Sequence, residues 1–153
     1  MKEFDYSLDY KNLDFTNLNT RKLYRIGRGE QGVLLIKPYT DDICRHWRFK
    51  DVVTARKSAS KIYEMYCDYK RQKDFIGMDM ARKFLEMGFT RARRYANHKD
   101  GKKYHQDGSI RTQETDALTS VKAMSAMVFK NIRDRVANDP EYVRMRKEWR
   151  SQE

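Results

Sequence analysis

The chain has few of the residues that interrupt or staple a fold. It holds two prolines and seven glycines in 153 residues, so Pro- or Gly-rich linkers and low-complexity tracts are excluded. Its two cysteines, Cys44 and Cys67, form no CxxC pair. That removes a disulfide scaffold and the common zinc and redox motifs, and predicts free buried thiols in a reducing compartment. No window approaches the roughly 18 apolar residues of a spanning helix. The opening MKEFDYSLDYKN is too polar for a secretory segment, so the expected setting is cytoplasmic. His46, His98 and His105 have no Cys or His neighbours at zinc spacing; neither a metal nor a cofactor is expected. No serine sits in a G-x-S-x-G elbow, and the carboxylates are too scattered to suggest a metal-dependent nuclease. Whether the chain is an enzyme stays open.

What is abundant is charge. Charged residues make up 36% of the chain, with a formal net charge of +11. Residues 1–20 carry two Lys and four acids, while residues 21–75 carry 14 basic and 7 acidic side chains. Residues 76–111 hold 9 basic and 4 acidic side chains, and residues 112–153 hold 8 and 7. The excess therefore lies in the middle, where it attracts phosphate-rich partners. Aromatic residues at 12% argue against disorder, and the length suits one domain.

The predicted fold is α+β, mainly α: a small N-terminal β-hairpin packed on three long helices plus a short C-terminal helix. Residues 1–20 read as an extended arm whose apolar side chains dock, residues 21–150 as a single globular domain, and residues 151–153 as a tail. The β-rich runs near 22–26 and 32–37 flank Gly27-Arg-Gly-Glu-Gln-Gly32, which suggests two strands and a glycine connection, with Pro38 ending the second strand. Asp41 or Asp42 is expected to cap a helical turn through Trp47. Apolar residues at intervals of three and four predict helices near 51–73, 76–97 and 114–137. The first buries Val52, Ala55, Ala59, Ile62, Tyr66 and Tyr69. The second buries Ala81, Phe84, Leu85, Ala92 and Tyr95, with Gly88 marking a close crossing or a break. The third buries Leu118, Val121, Met124, Val128, Ile132 and Val136. Asp139 as N-cap and Pro140 at the first helical position begin the last helix, near 140–150, and offer Tyr142 and Trp149 for docking. The eight methionines are read as adaptable core filling.

Three segments carry candidate sites. The G-x-G-x-x-G string suits the glycines of a hairpin without ligand; its alternative is a phosphate cradle assisted by Arg25 or Arg28. Arg45, His46, Trp47, Arg48 and Lys50 combine a ring with cations, which fits base stacking beside phosphate pairing, or else a core Trp with solvated neighbours. The third segment is Arg91–Arg111, with seven Lys or Arg, two histidines and two tyrosines. There Arg91, Arg94 and His98 share a helix face, and Lys99, Lys102 and Lys103 extend the charge through a Gly-punctuated loop.

Five strings carry a resemblance: Phe4-Asp-Tyr-Ser-Leu-Asp-Tyr10, Tyr24-Arg-Ile-Gly-Arg-Gly-Glu-Gln-Gly-Val33, His46-Trp-Arg-Phe49, Gly77-Met-Asp-Met-Ala-Arg-Lys-Phe-Leu85 and Thr90-Arg-Ala-Arg-Arg-Tyr-Ala-Asn-His-Lys99. Together the chain resembles domain-of-unknown-function family 4385, small proteins of bacteria, some eukaryotes and large phages, notably cyanophages. The resemblance spans residues 4–150. It implies a single intracellular domain, possible phage origin (host cytoplasm if viral), and no established activity. It places Arg28, Glu30, Trp47, Arg48, Arg93, Arg94, Asn97 and His98 in the recognised strings. Asp100 displaces the glycine after His-Lys, leaving Gly101 to make the turn.

The leading expectation is an accessory protein that binds nucleic acid, DNA or RNA. Arg28, Arg45, Arg48, Arg91, Arg94, Lys99, Lys102 and Lys103 would meet phosphates, and Trp47, Tyr95 or Tyr104 would stack on bases. The second is an enzyme or sensor for a small phosphorylated ligand, with Arg28, Glu30, Arg48, Arg94, Asn97 and His98 around the glycine-rich hairpin and His98 as acid or base. The third is a protein–protein adaptor using Tyr142 and Trp149. No membrane partner is expected.

Overall fold

The computed structural model describes residues 2–98, 101–114 and 120–153. A 3-10 turn at Tyr10–Asn12 precedes α1 (Leu18–Arg21), α2 (Tyr39–Cys44), α3 (Val52–Arg71), α4 (Phe75–Asn97), α5 (Val121–Ala137) and α6 (Pro140–Gln152). Helix α4 is central, packing against α3 and α5 and meeting α2 and α6. The starts of the long helices are capped by side chains. Asp51 accepts from Thr54 N, Asp74 from Gly77 N, Ser120 from Ala123 N and Asp139 from Glu141 N. Each satisfies one of the backbone donors a helix leaves unpaired.

The expected hairpin is not present, so the fold is helical rather than α+β. Among the described residues there is no strand, only an isolated antiparallel bridge between Tyr104 and Ile110. Residues 22–38 turn repeatedly instead. Gly27, Gly29 and Gly32 have φ of 67°, 55° and 78°, and Gln31, Val33 and Leu35 donate their N–H groups to carbonyls three residues back. Local turns thus take the donors that a strand ladder needs. Pro38 ends no strand; it stands at the N-cap of α2, which Asp41 and Asp42 enter in its first turn rather than cap.

The first residues are held by rings. Phe4, Tyr10, Phe15, Tyr24, Trp149, Phe75 and Tyr142 follow one another at centroid separations of 5.3–6.4 Å. Burying Phe15 alone is worth about 2 kcal/mol. Tyr142 and Trp149 are therefore engaged within the chain, with Trp149 Nε1 donating to the Tyr24 carbonyl at 3.0 Å. Gly88 makes a close crossing, its α-carbon hydrogens facing the Phe129 ring of α5.

Two helix faces differ from the periodic reading. In α5 the buried residues are Ala123, Ser125, Ala126, Phe129 and Val136, while Val121 and Met124 are exposed. Alanines let this helix approach α4 more closely than branched residues would. Leu118 lies outside the described residues. In α4, Ala92 is buried but Tyr95 is 40% exposed. Met78, Met80 and Met87 fill the core, whereas Met124 and Met127 face outward. Both cysteines are free and half-buried. No helix among the described residues is long and apolar enough to cross a membrane.

Candidate functional site

Beneath the glycine-rich loop lies a buried ionic hub. Asp79 and Lys83, one helical turn apart on α4, are wholly buried. Asp79 accepts from the Tyr24 hydroxyl, from the Tyr142 hydroxyl at 2.6 Å and from Arg82 Nε at 2.9 Å. Burial alone would raise the Asp79 carboxyl, but the Arg82 and Lys83 charges and these hydrogen bonds bring it down to about 2. Burial pushes the Lys83 ammonium down to about 7 against the opposing pull of Asp79.

The hub's cations set the polarity of the loop. Lys83 Nζ donates to the Gln31 and Arg25 carbonyls at 2.7 and 3.4 Å. Arg82 Nη1 donates to the Gly29 carbonyl and Arg150 Nη2 to the Gly27 carbonyl, both at 2.9 Å. A phosphate cradle converges N–H groups on an anion, whereas this loop turns carbonyls onto cations. Arg28 lies outside that arrangement, exposed and paired with Glu3 at 2.9 Å. Glu30 reaches α4, accepting from Thr90 Oγ1 at 2.7 Å.

The second feature is an open trench of about 960 Å³ lined by Trp47, Phe49 and Tyr95 together with Arg48, Lys50 and Lys122. The rings follow in sequence, Trp47 to Phe49 at 5.0 Å and Phe49 to Tyr95 at 6.2 Å. Lys122 Nζ stands 5.2 and 5.9 Å from the Phe49 and Tyr95 centroids and donates to the Phe49 and Lys50 carbonyls. Burial lowers its pKa, opposed by Asp51. The indole Nε1 of Trp47 is buried without a partner.

On α4 near the same end, a smaller cavity of about 300 Å³ is lined by Arg93, Arg94, Asn97, His98 and Lys103 among others. Residues 101–114 close over the helix end, with Gly101 N donating to the His98 carbonyl and Glu114 N to the Asn97 carbonyl. Gly101 makes this turn at φ 74°.

The sequence candidates thus separate. Trp47 and Arg48 belong to the trench; Arg93, Arg94, Asn97, His98 and Lys103 to the cavity. Arg45 is exposed beside Asp42 at 3.7 Å, Arg91 and Lys102 are exposed elsewhere on the surface, and Lys99 lies outside the described residues. Arg91 and Arg94 do not share an open face with His98, which is 4% exposed. Sequence reasoning missed Lys122, Phe49 and the whole Asp79 hub. Asp79, Arg82 and Lys83 recur at i, i+3 and i+4 within the otherwise apolar run Phe75–Leu85, and that was the available signal. It also missed a basic cleft of about 570 Å³ where Arg82, Arg133, Arg146, Lys147 and Arg150 gather, because residues 112–153 are nearly neutral in sum. There Arg133 is already matched by Glu86 and Asp134. Among the described residues no group of three His, Cys, Asp or Glu could hold a metal ion.

No curated protein and no solved structure matches the chain. The resemblance carried by the five sequence strings extends over almost the whole length: the family model described as Domain of unknown function (DUF4385) matches residues 5–152, and the chain belongs to that family.

Proposed function

We propose that the protein binds single-stranded nucleic acid, DNA or RNA, as an accessory factor, with bases seated in the trench and phosphates along its cationic rim. The observation that carries this reading is the trench itself, three consecutive rings bordered by Arg48, Lys50 and Lys122. Stacking on aromatic rings contributes about 1–3 kcal/mol per base, and only a strand whose base faces are open can use it. The net charge of +11 supplies the long-range attraction. A cytoplasmic setting, in a cell or a phage host, goes with this reading.

The test is fluorescence anisotropy of labelled oligothymidylate and oligouridylate, against a duplex of equal length. Single strands bind more tightly than the duplex, and affinity falls as salt rises from about 50 to 200 mM. Undetectable binding at the lower salt, or affinity indifferent to salt, would sink the proposal.

A further inference from the structure

Two buried polar atoms at the end of α4 lack partners, Arg93 Nη2 and His98 Nδ1. Both residues line the smaller cavity. Arg93 uses Nε on Asn97 Oδ1 at 3.2 Å, and no carboxylate among the described residues pairs with its guanidinium. His98 is 4% exposed and solvent does not reach its Nδ1.

A guanidinium remains charged and only donates; Arg93 is half-buried, with Nη2 shut off from solvent and unpartnered, and withdrawing such a charge from water without a counter-charge is unfavourable. One bridging water would satisfy a hydrogen bond but leave that charge uncompensated. The complement is an anion. Exposed Arg94 and Lys103 on the same wall add positive potential. Glu30, which approaches this wall at Thr90, is held there by the Thr90 hydroxyl at 2.7 Å. Cations at a helix C-terminus also offset its dipole, which accounts for a cationic α4 end but not for a buried guanidinium nitrogen without a hydrogen-bond partner. Phe89 and Ile110 give the cavity an apolar side, and about 300 Å³ is the lower range of small-molecule sites.

We propose that this cavity binds a phosphate monoester, its oxygens taken by Arg93 and His98 and its organic part lying against Phe89 and Ile110. The site is separate from the trench and stands without it. The same chemistry is offered by a free phosphorylated metabolite and by the terminal phosphate of a nucleic-acid strand.

Phenyl phosphate is titrated into the full chain, with binding followed by calorimetry and by nitrogen-15 spectra of the histidine rings. In parallel, 5′-phosphorylated and 5′-hydroxyl oligothymidylate are compared. Saturable phenyl phosphate binding that shifts the His98 resonances, weakens roughly tenfold or more in Arg93→Met and is unchanged in Arg144→Ala, an exposed cation on α6, identifies a free monoester. A gain in affinity from the 5′-phosphate that Arg93→Met abolishes identifies a strand end. The 5′-hydroxyl strand reports on the trench alone, so its failure to bind leaves this site standing. Should Arg93→Met fold poorly by circular dichroism, His98→Gln and the wild-type spectra decide. No saturable binding at roughly 1 mM phenyl phosphate together with no 5′-phosphate gain overturns the proposal. So does binding indifferent to Arg93→Met or His98→Gln.

Discussion

Tyr142 donates its hydroxyl to Asp79 Oδ1 at 2.6 Å, joining α6 to the buried hub of α4. The other carboxylate oxygen takes the Tyr24 hydroxyl, so one side chain ties two helices and the segment leading into the glycine-rich loop. Asp79→Ala leaves Arg82 and Lys83 without their buried counter-charge and is expected to cost about 3–5 kcal/mol. Tyr142→Phe removes one hydrogen bond from a carboxylate that keeps others, at about 1–2 kcal/mol. Urea unfolding of both variants measures the difference. Equal losses would show that the carboxylate does not balance the cations.

The same hub sets the pH dependence of stability. Asp79 titrates at about 2 when folded against an ordinary 3.8. Its contribution of about 2 kcal/mol is present above pH 4 and is lost as pH falls toward 2. Lys83 titrates at about 7 when folded against an ordinary 10.5. Between those values the unfolded chain binds the proton and the folded chain does not, so stability rises with pH from about 7. Tyr24 and Tyr142 have pKa values raised above the ordinary 10 by burial and by Asp79. The unfolded chain therefore ionises first at high pH, and stability falls again above about 10. Urea midpoints at pH 2, 4, 7, 9 and 11, pH values spanning those windows, trace this dome, and Lys83→Met removes the rise from neutral to alkaline pH.

The long helices were legible because apolar spacing and N-caps acted together, as at Asp139-Pro140. The region before α2 was not. Leu23, Ile26, Val33 and Ile36 have strand propensity, but three glycines at positive φ and the cations Lys83, Arg82 and Arg150 fix the backbone as turns. Those cations lie more than 50 residues in sequence from the carbonyls they hold, beyond any local pattern. The site was half visible. Trp47 and Arg48 stand out as a ring beside cations, and Arg93 and His98 through the basic segment and the family strings, but their division into two cavities depends on which face of α4 meets α5. That face is set by Ala123 and Ala126 rather than by the larger apolar residues that the periodic reading chose.

The Gly88 contact gives a packing test. A Cβ there would lie 2.5 Å from Phe129 Cδ1, and the Phe129 ring is fully buried. Gly88→Ala improves helix propensity by about 1 kcal/mol, yet overpacking costs about 1–3 kcal/mol, so net destabilisation is expected. Phe129→Leu alone leaves a void. Combining the two relieves the clash, and the double variant is expected to be more stable than the single losses added together. Strict additivity in urea unfolding would mean that the two positions do not press on one another.

On the proposed reading, the rings and cations of the trench make separable contributions to strand binding. Tyr95 is 40% exposed, so Tyr95→Ala removes a stacking surface with little loss of core. Oligothymidylate affinity is expected to fall by about 1–3 kcal/mol while the slope of log affinity against log salt stays constant. Arg48→Ala removes an exposed cation from the same rim and should flatten that slope by about 0.7, the value for one phosphate contact on a single strand. The two substitutions thus move different observables of one titration. A Tyr95 variant that changes only the slope, or an Arg48 variant that leaves it untouched, would mean that the strand follows another basic surface. The cleft gathering Arg146 and Lys147 is then the place where charge reversal should act.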